Sequence, residues 1–324
     1  MAKINRIGVL TSGGDAPGMN PCIRAVARTA LFNGRRVYGI RRGFEGLLRG
    51  ELAPMEPRDV GGIIQRGGTM LGTGRSEEFR TDAGQTKAVR LLNENAIDGL
   101  VVIGGDGSMR AAHALAARGV AVVGIPGSID NDMWGTNMAI GVDTALNTLC
   151  DAIDKLRDTA SSHRRAFLIE TMGRNCGYLA VMAGVIGGAE VILIPEVATT
   201  IAEVAQAVEG AYKRGKSHSI IVVSEGANLK TTELSKALDA MDVGFTTRVT
   251  ILGHIQRGGR PSAFDRLLAT RLGVKAVDAL LAGQTDVMVG LRGRDIETVP
   301  LEEVVSKQRE ANLDYYEMAK MLAF

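Results

Sequence analysis

Two carboxylates one residue apart close the stretch Gly127-Ser128-Ile129-Asp130-Asn131-Asp132, and a third stands in Gly104-Gly105-Asp106-Gly107-Ser108. Paired acids on a turn can divide general-base work, one taking the proton and one orienting it. The glycines around them have a different use. Lacking Cβ atoms, they let backbone N–H groups approach a phosphate closely. Three carboxylates beside a phosphate would repel it unless a divalent cation stood between. The combination points to a metal–nucleotide site with a base beside it.

The elements that must position these residues can be read from the flanks. Residues 100–103 and 120–125 are short β-branched runs stopped by glycine or proline, hence strands. Residues 108–118 between them read as a helix, and strand–helix–strand implies parallel pairing. Both strands then open at one sheet edge, where ligands of open α/β sheets sit, and the helix start points its positive end there.

The same reading extends along the chain. Residues 6–11 form a strand ending in Ser12-Gly13-Gly14-Asp15, and Asn20-Pro21 predicts an N-cap and first helical position for a helix reaching residue 32. Arg24 and Arg28 lie four apart on that helix, either a solvated face or an anion site. Residues 37–40 are a strand, 43–59 read as loop, 61–68 begin helical, 72–75 form a glycine turn and 86–95 a helix. Leu146, Leu149, Cys150, Ile153 and Leu156 recur at helical spacing within 143–161. Strands follow at 165–170, 190–194, 219–224, 247–252 and 287–292, with helices at 177–184, 201–214, 262–282 and 313–322.

Composition excludes several classes. A net charge of +2 and 4% aromatic residues give little for nucleic acid or an anionic membrane. The three cysteines, Cys22, Cys150 and Cys176, are far apart, so a disulfide framework is not expected and a reducing, cytoplasmic setting fits. The longest apolar stretch, 178–195, is broken by Gly184, Gly187, Gly188 and Glu190, and is not read as a membrane span. Gln-Arg-Gly-Gly occurs at 65–68 and 256–259, as a remnant of duplication or by chance.

The motifs LTSGGDAPGMN, IGGDGS, PGSIDND, ETMGRNCG, SEG and LGHIQRGG, in this order and spacing, resemble bacterial ATP-dependent 6-phosphofructokinases. The resemblance runs from about residue 7 to the end, weakening after 281. It implies attack of the 1-hydroxyl of fructose 6-phosphate on the γ-phosphoryl of MgATP, a committed glycolytic step, with Mg²⁺ as cofactor. By resemblance Asp130 is the base, Asp132 and Ser128 assist, and Gly14, Arg75 and Arg174 stabilise the transferring charge. ATP contacts would come from Gly14, Arg75, Ser76, Gly105, Asp106, Gly107 and Ser108, with Asp106 holding the metal. Substrate contacts would come from Ser128, Ile129, Asp130, Arg165, Met172, Gly173, Arg174, Glu225, Arg248, His254 and Arg257. Arg165 and Arg248 are expected from a neighbouring subunit. Glycine at 107 and 127, where pyrophosphate-dependent relatives resemble Asp and Lys, favours ATP as donor.

The resemblance also implies an effector pocket for ADP or phosphoenolpyruvate from Arg24, Arg28, Arg157, Gly188, Glu190, Arg214 and Lys216. Pro57 stands where some members carry an arginine in the loop before Asp59. The expected fold is α/β: two three-layer α/β/α Rossmann-like domains with mostly parallel sheets closing on a cleft. Residues 1–140 and 256–302 would form the larger, ATP-binding domain, and 141–255 and 303–324 the smaller, sugar-phosphate domain. A homotetramer is implied. The rivals are a pyrophosphate-dependent or other sugar-phosphate kinase, an NAD kinase and a nucleotide-binding subunit without turnover.

Overall fold

The glycine-flanked apolar runs are strands and the amphipathic stretches between them helices. The computed structural model describes residues 4–323. It begins β1 (Arg6–Ser12), α1 (Met19–Phe32), β2 (Arg36–Ile40), α2 (Gly43–Leu48), β3 (Leu52–Met55), α3 (Asp82–Glu94), β4 (Gly99–Gly104), α4 (Asp106–Ala116), β5 (Ala121–Pro126) and α5 (Val142–His163). There follow β6 (Arg165–Thr171), α6 (Tyr178–Ile186), β7 (Val191–Leu193), α7 (Ile201–Lys213), β8 (Ser219–Ser224) and α8 (Thr231–Ala240). The last elements are β9 (Thr246–Ile251), α9 (Ala263–Leu281), β10 (Val287–Arg292), β11 (Asp295–Pro300), α10 (Leu301–Ser306) and α11 (Leu313–Leu322). The chain clusters into two units, 4–129 with 133–144 and 257–308, and 130–132 with 145–256 and 309–323. Asp130–Asp132 and Gln256 thus group with the second unit, and 141–144 and 303–308 with the first, unlike the partition expected from sequence.

The first unit holds a seven-stranded sheet, β11-β10-β5-β4-β1-β2-β3. Its five inner strands are parallel, and β3 and β11 pair antiparallel at the edges. Every residue of β4 is buried, as suits a strand covered on both faces. The edge strands are blunted by Pro54 in β3 and by the polar alternation of β11. The chain steps from β1 to β2 one way and from β4 to β5 the other, so right-handed crossovers put α1 and α4 on opposite faces. Helix α1 packs on α9, while α4 meets α3 and α10. Gly273 permits the first contact: a Cβ there would lie 2.7 Å from Ala25 Cβ and 2.9 Å from Cys22 O. A mid-helix glycine costs roughly 0.5–1 kcal/mol against alanine, which the close approach offsets.

The second unit holds a parallel sheet, β7-β8-β6-β9. Helices α7 and α8 bury Val204, Val208, Leu234 and Leu238 among Leu168, Ile221 and Val223. Each such side chain contributes about 1.5–3 kcal/mol of burial. A reciprocal capping box between Thr200 and Glu203 fixes the start of α7. Helices α6 and α11 contact one another and β7. Among the described residues no helix is long and apolar enough to cross a membrane.

Four local expectations are corrected. Asn20 is not a cap: α1 starts at Met19 after Gly18, and the Asn20 amide donates to Arg66 O (3.1 Å) and Gly67 O (3.0 Å) and accepts from Met70 N (2.7 Å). Residues 61–68 make only turns, because Gly62 and Gly68 adopt φ 66°. The 43–59 stretch contains α2 and β3, since Phe44, Leu47 and Leu48 share a buried face. Helix α8 and strand β11 lie where no element was expected; α8 buries only Thr231, Leu234 and Leu238.

Candidate active site

The first unit's sheet reverses direction between β1 and β4, the switch point where open α/β sheets bind ligands. Ser12 is level with Gly104, and Gly104 with Pro126, so the turns after β1, β4 and β5 open side by side. Gly104 is jammed between them. A Cβ there would lie 2.5 Å from Ser12 O, and its own carbonyl accepts Gly127 N (2.9 Å). Gly13, at φ 85°, brings its turn to Ser108, whose Oγ would lie 3.4 Å from an added Cβ. Helix α4 starts from Gly105, which has no side chain to cap its first N–H groups, leaving an anion-binding N-terminus. Gly105 faces Ser128 across about 3.6 Å of hypothetical Cβ contact. At Gly107 an added Cβ would meet nothing within 4 Å. Ser128 and Ile129 are buried.

Loop 69–76 is stitched to the same turn. Thr11 Oγ1 lies 2.8 Å from Thr69 Oγ1 and donates to Gly72 O (2.7 Å), and Thr73 Oγ1 donates to Gly13 O (2.7 Å). These bonds tie the loop that bears Arg75 to β1 and the Gly13-Gly14 turn. Ser76 Oγ accepts Phe79 N (3.1 Å), so this hydroxyl holds the next turn. The Arg257 guanidinium occupies the space where a Gly14 side chain would be, and donates to Asp15 O (3.4 Å). Arg257 thus belongs with the glycine turn. Asp106, in the first turn of α4, pairs with Arg110 at 3.0 Å. Among the described residues no three His, Cys, Asp or Glu side chains gather as a metal cage. One carboxylate fits Mg²⁺ that arrives on a nucleotide, because that ion keeps waters and binds mainly through phosphates.

In the second unit β6, β8 and β9 end together at residues 172–174, 225–226 and 252–257. Arg174 stands at φ 52°, and Gly173 at φ 143°, where a Cβ would lie 2.5 Å from Cys176 O. The strained turn is held by Glu225 Oε1, which accepts Arg174 N (3.0 Å) and Gly173 N (3.3 Å), and by Gln256 Oε1, which accepts Met172 N (3.2 Å). Its product is a contact: Arg174 Nε lies 3.2 Å from Oδ2 of the fully buried Asp130. Asn131, also buried, turns the chain there at φ 53°. Burial pushes the neighbouring Cys176 thiol up to about 11. Gln256, unsuspected from sequence, sits inside the Gly253–Gly259 run that could have flagged it. His254 is exposed on the 3₁₀ turn Gly253–Arg257.

Two expected sugar-phosphate residues do not join this group. Arg165 is the first residue of β6, and at about 3.3 Å per residue stands roughly 20 Å from its other end. Arg248 is level with Phe167 and donates to Thr247 O (2.7 Å).

Of the expected effector residues of the second unit, Arg157, Gly188, Glu190 and Lys216 gather. Arg157 donates to the carbonyls of Gly187 and Gly188 and lies 3.3 Å from His218 Nε2. Lys216 Nζ lies 3.3 Å from Glu190 Oε1, and Glu190 Oε2 accepts Ile220 N (2.6 Å). Arg214 closes α7. His218, not singled out from sequence, is lowered by burial and then by Arg157 and Lys216, against Glu190. In the first unit Arg24 and Arg28 lie on α1, where Arg28 reaches Pro57 O at 3.5 Å.

A family model described as Phosphofructokinase matches residues 6–280. The ATP-dependent 6-phosphofructokinase of Natranaerobius thermophilus is 51% identical over 320 residues, covering 99% of this chain and all of that one. That of Thermotoga neapolitana is 50% identical over 321 residues, with 99% and 100% coverage. A solved phosphofructokinase of Saccharomyces cerevisiae superposes with a TM-score of 0.87 at 41% identity, over 93% of this chain and 45% of that chain. With the glycine turns of one sheet and the Asp130–Arg174 turn of the other in place, the chain belongs to the phosphofructokinase family.

Proposed function

We propose that this chain is an ATP-dependent 6-phosphofructokinase, moving the γ-phosphoryl of MgATP to the 1-hydroxyl of fructose 6-phosphate in glycolysis. The observation that carries the reading is the buried Asp130 carboxylate in contact with Arg174 on a turn that Glu225 and Gln256 hold. Asp130 takes the hydroxyl proton, with Asp132 and Ser128 beside it. Arg174, Arg75 and the Gly14 backbone offset charge on the transferring group, where positioning and electrostatics supply most of the rate. Gly105, Asp106, Gly107, Ser108 and Ser76 receive the nucleotide. Asp106 would hold Mg²⁺, which when bound neutralises phosphate charge.

The donor follows from two glycines. Gly107 stands in open space, so nothing in the fold requires a glycine there, and it leaves room for the α-phosphate. At Gly127 a Cβ would press on Met19 Cε at 3.3 Å and Ile103 Cγ2 at 3.4 Å, so a lysine there is disfavoured.

Met172, Gly173, Ile129, Glu225, His254 and Arg257 serve the sugar phosphate. Arg165 and Arg248 serve the site of a second copy, which accounts for their place away from the Asp130 group and makes the working form an oligomer, a homotetramer in this reading. The Arg157–Glu190–Lys216 cluster, with Arg214 and Gly188, and with Arg24 and Arg28 of a second copy, takes ADP or phosphoenolpyruvate between subunits. The setting is the cytoplasm.

A steady-state assay with fructose 6-phosphate tests the reading, using ATP or pyrophosphate as donor, with and without ADP and phosphoenolpyruvate. Turnover with ATP alone is expected, modulated by the effectors. Turnover with pyrophosphate and none with ATP would reverse the donor assignment.

A further inference from the structure

The segment that follows α10 returns to the Asp130–Asp132 turn and brings a buried cation with it. Arg309 N donates to Asp132 O (3.2 Å). Its guanidinium carbon lies 5.3 Å from the centre of the Tyr178 ring, a cation–π distance. The Cys176 thiol is within electrostatic reach of both the Asp132 carboxylate and the Arg309 guanidinium, so the three side chains share one locus. Burial opposes the charge on Arg309, which its surroundings must therefore reward.

The position of Arg309 is not left to a loose tail. Two residues on, Ala311 N donates to Glu196 Oε1 (2.9 Å), and the same carboxylate accepts Gly177 N at 2.9 and 3.1 Å. Glu196 thus clamps the 309–311 segment to the entry of α6, whose first residue is Tyr178. The backbone of Asp132 and the guanidinium's aromatic seat are both tied to one short segment.

From this we infer that Arg309 is a positioning residue for the Asp130–Asp132 turn: its side chain, seated on Tyr178, keeps in register the segment whose backbone N–H holds Asp132 O. It touches no reacting atom. It acts through Asp132, and the inference rests on reading Asp130 and Asp132 as base and assistant.

The experiment compares Arg309→Ala, Arg309→Lys and Asp130→Ser in the full chain, measuring kcat, both KM values and Tm. Loss of the guanidinium's seat on Tyr178 is expected to lower kcat about 3- to 30-fold in Arg309→Ala, with KM for ATP and fructose 6-phosphate within about threefold. Arg309→Lys keeps the charge but not the planar face that lies on Tyr178, so its kcat falls between the two. Unchanged kcat in Arg309→Ala, or a loss confined to KM or Tm, overturns the inference. If Arg309→Ala does not fold, Arg309→Lys decides: a kcat reduced at unchanged KM supports positioning, and full kcat assigns the residue to stability alone. If Asp130→Ser retains turnover, the reading of the base fails as well. If only Arg309→Ala retains it, that reading stands and this inference alone falls.

Discussion

The C-terminal edge of the seven-stranded sheet presents backbone, and that of the four-stranded sheet presents side chains. At the first edge the working parts are glycine turns and the uncapped start of α4, with carbonyls and hydroxyls used to stitch the turns together. At the second the working parts are Asp130 and Arg174, and backbone N–H groups are spent on holding them through Glu225 and Gln256. The difference matches what each would handle in the proposed function. A polyphosphate is met by many fixed N–H dipoles, while a proton transfer needs one carboxylate in one place. An edge built from backbone is damaged by adding atoms; an edge built from side chains is damaged by removing them.

Removal of a side chain should have the largest effect. Asp130→Ser is expected to lose about 10²–10⁴-fold in kcat, the usual contribution of a general base. Turnover within a few-fold of the parent enzyme in a coupled assay would erase the distinction between the two edges. Next come Arg165→Ala and Arg248→Ala. Each removes a charge-assisted contact worth about 1.5–3 kcal/mol, or roughly 10- to 100-fold in the KM for fructose 6-phosphate. Mixing Arg165→Ala chains with Asp130→Ser chains and allowing subunit exchange should recover activity, at sites that pair an intact Asp130 with an intact Arg165 from the other copy, which steady-state kinetics on the mixture would read.

Addition of atoms sharpens the other side. Gly107→Asp should fold with a Tm near that of the parent, since an added Cβ meets nothing within 4 Å, yet raise the KM for ATP by about tenfold or more. Gly104→Ala should instead lose stability, by about 1–3 kcal/mol as overpacking does, because the new methyl meets Ser12 O and Ser108. Denaturant melts of the pair separate a glycine kept for the ligand from one kept for the fold.

The last effect lies outside both edges, in the frame of the first unit. Asp265 is fully buried and accepts Gly141 N (2.9 Å), Thr144 N (2.8 Å) and Thr144 Oγ1 (2.6 Å). Burial pushes it up from 3.8 to about 6, against these hydrogen bonds. Between those values the folded chain keeps a proton that the unfolded chain has released, so stability falls as pH rises through that window. The loss is about 3 kcal/mol at most, complete above pH 6 and absent below pH 4. Asp265→Asn should remove this slope from the pH dependence of chemical denaturation.

Much of the scaffold was legible because it rests on periodicity. The apolar runs of β4 and β5 and the glycine punctuation after them placed two turns on one edge without reference to any relative, and the pairing of β1 with β4 added the third. The Asp130-Asn131-Asp132 turn was legible as a candidate site because two aspartates on a glycine-led turn have few other uses. What stayed hidden was mostly long-range. Gln256 and Glu225 act by receiving N–H groups from a turn 51 to 84 residues away, and nothing local marks an acceptor's partner. Gly104 and Gly107 carry the same letter three positions apart, and only packing separates the jammed one from the open one. Helix α8 was missed because its buried side amounts to Thr231, Leu234 and Leu238, too thin a stripe to stand out. Asn20 was misread because asparagine before proline matches a helix cap locally, while its amide is committed to a loop 46 to 50 residues on.

That loop leads to Arg75, so the amide of Asn20 is a long-lived fastening for a cation of the glycine turn. Asparagines age in water when the next residue's backbone nitrogen attacks the side-chain carbonyl, converting the amide to an acid. Here the next residue is Pro21, whose nitrogen carries no hydrogen and cannot make that attack. The fastening is therefore closed to this route of decay. Slow storage of the enzyme should leave the mass of the peptide spanning residues 19–24 unchanged, even where exposed Asn-Gly or Asn-Ser sequences in other proteins would have gained a dalton.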